Sequence, residues 1–169
     1  MLLASGQAAT TFALLNIAEV GDHIVSSPSI YGGSYNLLAH SFKKLGIEVT
    51  FVSDPDNLDE WRAAVRPNTK AFFGEVVSNP RQDILDIEGV SAVAHEAGVP
   101  LLVDNTLATP YLIRPLEWGA DIVIHSATKY LVLGRTAARH SSKLSGSETK
   151  VTSMPNFLKL CASRLYEPP

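Results

Sequence analysis

Short apolar runs alternate along this chain with longer segments in which apolar residues recur every three or four positions. These are the periods of buried strands and of helices that bury one face. After Ser5 and Gly6, residues Ala9, Phe12, Ala13 and Ile17, with Leu14 and Leu15 between them, predict a helix ending near Gly21. A short strand over 22–26 and a loop over 27–33 follow. The spacing of Tyr35, Leu38, Phe42 and Leu45 predicts a helix over 34–45 with those four on one face, stopped by Gly46. Residues 47–52 alternate as a strand, 54–57 turn, and 58–65 form a short helix that ends before Pro67. A strand over 71–77 closes at Ser78-Asn79-Pro80; a helix over 87–97 stops at Gly98 and Pro100; a strand over 99–103 runs into Asp104-Asn105-Thr106. The continuous β-branched run Ile122-Val123-Ile124 predicts a strand buried on both faces of a mostly parallel sheet, with 125–129 at its carboxyl end. Regular strand–helix alternation with ordinary loops implies a three-layer α/β domain.

Composition supports that class. The 169 residues are the length of one domain, and 46% hydrophobic with 18% charged residues suits buried parallel strands. A net charge of -3 gives no basic footprint, so nucleic acid is not an expected partner. The amino-terminal run is interrupted by Ser5, Gly6, Gln7, Thr10 and Thr11 and lacks a preceding Lys or Arg, so it reads as a domain helix rather than a leader. No apolar stretch is long enough for a membrane span. A single cysteine, Cys161, excludes an internal disulfide framework and favours a reducing, cytoplasmic setting. His95 has no second histidine at zinc-helix spacing; it reads as a helix-surface residue, and no metal site is expected.

Candidate chemistry concentrates at strand ends. Ligands of open α/β sheets bind outside the carboxyl ends of the strands, where Ser126, Thr128 and Lys129 would lie. A partly desolvated lysine there can form a Schiff base, and two hydroxyls beside it can donate to a phosphate, which together is what pyridoxal 5′-phosphate requires. A surface lysine after a strand is the plain alternative. Asp104, straight after an apolar run, is costly without a partner, and a pyridinium nitrogen is such a partner; a loop-capping aspartate is the other reading. Tyr31, before two glycines, can present its ring to a planar heterocycle or simply cover a turn. The Ser5-Gly6 step opens a helix as an anion site or as a plain N-cap. Asn79, with Glu75 behind it, offers a polar group to a ring oxygen, although Asn before Pro is also an ordinary turn.

The motifs SGQAA from Ser5, YGGSY from Tyr31, SNP from Ser78, VDNTLATP from Val103 and GADIVIHSATKYL from Gly119 occur in this order and spacing. In them the chain resembles the Cys/Met-metabolism family of pyridoxal-phosphate enzymes over residues 5–131, most nearly its O-acetylhomoserine sulfhydrylase branch. The resemblance implies an incomplete, aspartate-aminotransferase-like (fold type I) large domain over 1–131. It implies that Lys129 carries the cofactor and moves protons, that Asp104 pairs with the ring nitrogen, and that Tyr31 stacks on the ring and assists acid–base steps. Gly6, Gln7, Ser126 and Thr128 would hold the phosphate, and Asn79, Thr106 and Glu75 would line the cofactor. A small amino-acid substrate and a homo-oligomer are implied too. Residues 132–169 lack the family's glycine-rich continuation and read as a divergent tail, for which a changed reading frame or splice would account. The family's amino-terminal arm and its carboxylate-clamping arginine also have no counterpart here.

The expected activity is γ-replacement on O-acetylhomoserine with sulfide or a thiol. The alternatives are cystathionine γ-synthase, cystathionine γ-lyase or methionine γ-lyase activity, and a non-catalytic remnant that at most binds the cofactor. A receiver-like signalling module, suggested by Asp104, Thr106 and Lys129, would need an acidic pair where this chain has Ser26 and Ser27.

Overall fold

A computed structural model of the chain describes residues 1–129. Five strands, β1 (His23–Ser26), β2 (Glu48–Phe51), β3 (Thr69–Glu75), β4 (Leu101–Asp104) and β5 (Ile122–Ile124), form one parallel sheet in the order β2-β1-β3-β4-β5. Helix α1 (Gly6–Leu15) and the continuation of the short helix α2 (Gly32–Asn36) through Phe42 pack on one face. Helices α3 (Leu58–Ala63) and α4 (Ile87–Glu96) pack on the other. The three-layer α/β architecture expected from the alternation is therefore the one observed. A short helix α5 (Thr109–Leu112) and a 3-10 turn (Pro115–Trp118), neither expected, connect β4 to β5.

Each face of the sheet carries its own core. Leu14, Leu38, Phe42, Phe73 and Leu102 fill the α1/α2 side, and Trp61, Phe72, Val90, Leu101 and Val103 fill the α3/α4 side. Phe72 and Phe73 show how: adjacent strand residues point to opposite faces, so a continuous apolar run feeds both layers.

Several expectations are corrected. In α1 the fully buried residues are Thr10 and Leu14, which turns Phe12 out to solvent, and the helix ends at Leu15 instead of near Gly21. α2 passes into a π-helical stretch (Leu37–Phe42). That wider turn breaks the 3.6-residue period, so Leu38 and Phe42 are buried while Tyr35 and Leu45 are exposed. Tyr35 instead stacks on Phe51, with ring centroids 4.7 Å apart. β3 begins and ends two residues earlier than predicted, which makes Glu75 its final residue; Val77 instead bridges Ile84 in a small antiparallel turn. β5 is the edge of the sheet among the described residues, so Ile122 and Val123 are only half-buried, not covered on both sides. The predicted tail over 132–169, Cys161 included, lies outside the described residues.

Candidate active site

The strand order reverses between β1 and β3, since β2 lies to one side of β1 and β3, β4 and β5 to the other. Such a switch point opens a crevice at the carboxyl ends of the strands. The start of α1, the start of α2, and the ends of β3, β4 and β5 with the loop that follows each of the last two meet there.

Ser5 caps α1, its hydroxyl accepting the Ala8 N–H at 3.0 Å. The plain capping role weighed for Ser5 is thus present. Gly6, the first helical residue, faces the loop after β5 so closely that a Cβ on it would lie 2.7 Å from Ser126 Cβ and 2.8 Å from its Oγ. One turn-face away, the Gln7 amide donates to the Gly33 carbonyl at 3.4 Å. Gly33 is needed for space: a Cβ there would meet the Tyr31 ring at 2.5 Å and Gln7 Oε1 at 2.9 Å. Tyr31 is 54% exposed.

From Tyr31 the contacts cross the switch point. Its backbone N–H donates to Glu75 Oε1 at 2.7 Å. Glu75 is the register neighbour of Asp104 on β4. Asp104 Oδ1 accepts the Thr106 N–H at 2.8 Å, and the Thr106 hydroxyl accepts the Ser126 N–H at 2.8 Å. Ser126 Oγ and Thr128 Oγ1 are 3.1 Å apart, and the Lys129 N–H closes the turn onto the Ser126 carbonyl at 3.0 Å. The circuit Gly6–Ser126–Thr106–Asp104–Glu75–Tyr31–Gly33–Gln7 is continuous.

Of the residues singled out from sequence, all but one fall on this circuit or in the turn attached to it. Asn79 stands apart and exposed in the turn after β3, joined to Pro80 by a cis peptide bond. His125 was missed. It follows β5 directly, one residue past Ile124, the register partner of Asp104, and that parallel placement was the available signal. Burial lowers its pKa, while the Asp104 charge and an Asn105 backbone hydrogen bond oppose the shift. Burial likewise raises the Asp104 pKa, against hydrogen bonds from Thr106 and the pull of His125. Glu75 is pushed up to about 8 by burial, with Asp104 adding to the rise and the Tyr31 N–H resisting it. The edge therefore presents two carboxyls, Glu75 buried and Asp104 half-buried beside His125, with several hydroxyl and N–H donors, an aromatic face and a lysine. Among the described residues no group of His, Cys, Asp and Glu is arranged to hold a metal ion.

The family model for Cys/Met metabolism PLP-dependent enzymes matches residues 1–140. An O-acetyl-L-homoserine sulfhydrylase of Corynebacterium glutamicum is 58% identical over 126 residues, which are 75% of this chain and 29% of that protein. One of Leptospira meyeri is 57% identical over 130 residues, 76% of this chain and 29% of that protein. The crystal structure of an O-acetylhomoserine (thiol)-lyase from Campylobacter jejuni, containing N′-pyridoxyl-lysine-5′-monophosphate, superposes with a TM-score of 0.74 at 42% identity, covering 76% of this chain and 32% of that one. The chain thus spans about 29% of the length of the curated relatives it matches.

Proposed function

Because this chain belongs to the Cys/Met metabolism PLP-dependent enzyme family, we propose that the whole protein replaces the γ-substituent of an O-acylated homoserine, O-acetylhomoserine with sulfide or a thiol. Acetate leaves Cγ with its bonding electrons and the sulfur nucleophile takes its place, a redox-neutral exchange giving homocysteine or its thioether. The relatives' names and the thiol-lyase structure support this choice within the family.

The residues fit pyridoxal 5′-phosphate on their own chemistry. When bound, that cofactor supplies a carbonyl that condenses with amines and a ring that withdraws electrons from the substrate. Lys129 would hold it covalently and then exchange protons with the substrate carbons. Asp104, a half-buried carboxylate whose pKa is raised by burial, would keep a ring nitrogen protonated, which repays its desolvation. Gly6, Gln7, Ser126 and Thr128 would hold the phosphate, where the start of α1 presents N–H groups and the missing Cβ of Gly6 lets Ser126 approach them. Tyr31 would cover the ring face and assist proton transfer. Thr106 and Asn79 would line the ring, and Glu75 would stand behind it. Residues 1–131 would be part of the cofactor-binding domain. A small amino-acid substrate, a homo-oligomeric assembly and a cytoplasmic setting go with this reading; no helix among the described residues is long and apolar enough to cross a membrane.

The observation that carries the proposal is the convergence of Gly6, Ser126, Thr106 and Asp104 on one sheet edge. Its test is borohydride trapping: the protein is mixed with pyridoxal 5′-phosphate, reduced and digested. A pyridoxyl adduct on the Lys129 peptide, absent in Lys129→Ala, is expected. An unmodified Lys129 at saturating cofactor would overturn the cofactor role. Homocysteine formed from O-acetylhomoserine and sulfide, but not from cystathionine or methionine, would fix the branch.

A further inference from the structure

Glu75 was expected to line the cofactor, yet its visible work is elsewhere. It is the last residue of β3 and only 7% exposed, and Oε1 accepts the backbone N–H of Tyr31 at 2.7 Å. Beside it lies a cavity of about 10 Å3, room for about one water, lined by Ser27, Ser29, Ser78 and Asp83. No Lys or Arg pairs with Glu75 among the described residues. The charged groups facing it are acidic: Asp104 from β4, its register neighbour, and Asp83 from the turn after β3, itself paired with Arg81. His125, after β5, acts on Asp104. Two ionised carboxylates side by side in a half-dry edge repel each other and both lose hydration. The arrangement is economical only if one of them is neutral, and the burial that pushes Glu75 up to about 8 agrees with that.

We propose that Glu75 is a positioning residue that works as an uncharged carboxylic acid, its carbonyl oxygen holding the backbone of Tyr31 while Asp104 remains the single anion of this edge. A neutral acid supplies the acceptor that Tyr31 needs without competing with Asp104 for a protonated ring nitrogen. The inference rests on the reading that Tyr31 covers the cofactor ring. Its structural half, a neutral Glu75 that tethers Tyr31, can be read without any cofactor.

The test uses the protein with 13C-labelled glutamate carboxyls together with amide hydrogen exchange. One carboxyl, missing from the spectrum of Glu75→Gln, is expected to titrate near pH 8, well apart from the surface glutamates. The Tyr31 amide is expected to stay protected in Glu75→Gln and to exchange on the order of tenfold faster in Glu75→Ala, the loss of one hydrogen bond. A Glu75 carboxyl that titrates with the ordinary glutamates, or a Glu75→Gln amide released as fully as in Glu75→Ala, would overturn the proposal. The titration is made on the wild-type chain and so decides even if Glu75→Ala does not fold. Adding pyridoxal 5′-phosphate separates the two readings. Wild type that fails to bind it removes the cofactor role of Tyr31, whereas the tether is judged by the carboxyl and the amide alone.

Discussion

The hydroxyl of Thr106 accepts the backbone N–H of Ser126 at 2.8 Å and so ties the loop after β5 to the loop after β4. The backbone of the same threonine donates to Asp104. One residue thereby fixes the spacing between the proposed phosphate donors and the proposed ring partner. Thr106→Val keeps the shape but leaves the Ser126 N–H without its acceptor, at a cost of about 1–3 kcal/mol. Denaturant unfolding should show that loss, and pyridoxal 5′-phosphate affinity should fall roughly tenfold. Thr106→Ser should restore both. Equal behaviour of the two variants would mean that the hydroxyl bridge is incidental.

Gly6 makes a second close approach to the same serine. Its requirement is space, since a Cβ would stand 2.7 Å from Ser126 Cβ. In Gly6→Ala, α1 or the Ser126 loop must move, a cost of about 1–3 kcal/mol against the roughly 0.5–1 kcal/mol that alanine contributes to a helix. The net change in stability should be small and unfavourable. Cofactor affinity, followed by fluorescence, should drop more than stability does. Unchanged affinity would place the phosphate elsewhere.

Much of this edge was legible in the sequence because parallel strands announce their own ends. The run before Asp104 and the run before His125 are apolar and continuous, so whatever polar residue follows each must stand at the carboxyl edge. That logic places Asp104, Ser126 and Lys129 without a structure. It does not reveal which polar groups then touch. The Thr106–Ser126 bridge spans 20 positions and the Tyr31–Glu75 bond 44, and neither leaves a periodic trace. Glu75 was harder still, because the boundary of β3 was misplaced by two residues and its acceptor points back to α2. The π-helical stretch was invisible for a related reason: Leu38 and Phe42 keep a four-residue spacing in either geometry, and only the exposure of Tyr35 and Leu45 discloses the wider turn.

Asp104 should show opposite effects on folding and on binding. Its pKa is raised by burial, so the stability it contributes is full below its ordinary value of 3.8 and is lost as pH rises through the folded value. Asp104→Asn retains an oxygen for the Thr106 N–H and removes the charge. The apo protein should become more stable than wild type above about pH 4, by a margin that grows with pH until the folded-state carboxyl is ionised. Affinity for pyridoxal 5′-phosphate should fall tenfold or more, since hydrogen bonds to charged groups contribute about 1.5–3 kcal/mol. A variant that is both less stable and undiminished in binding would refute the ring-nitrogen role.

At the other end of the sheet, His23 sets a pH dependence of the opposite sign. It is fully buried, with Nδ1 2.8 Å from Thr69 Oγ1 and Nε2 2.8 Å from Thr50 Oγ1. Both hydroxyls also accept from Arg66, Thr69 from its backbone N–H and Thr50 from its guanidinium, and the neutral ring donates to one threonine while accepting from the other. Burial and then Arg66 lower the His23 pKa, with Glu48 opposing. The native state thus binds fewer protons here than the unfolded chain, so stability is full above the ordinary value of 6.5 and falls as pH drops towards the folded value. Glu75 acts in reverse. Its contribution is full below 4.5 and is lost as pH rises through about 8. Between pH 5 and 6.5 the two slopes oppose each other, each limited to about 1.4 kcal/mol per pH unit, with His125 adding to the histidine side and Asp104 to the carboxyl side. Urea midpoints of the apo protein should therefore vary little across that interval. Glu75→Gln should expose the histidine slope, with stability rising as pH increases, and His23→Gln should expose the carboxyl slope, with stability falling. Parallel curves for both variants and wild type would show that neither buried group titrates differently on folding.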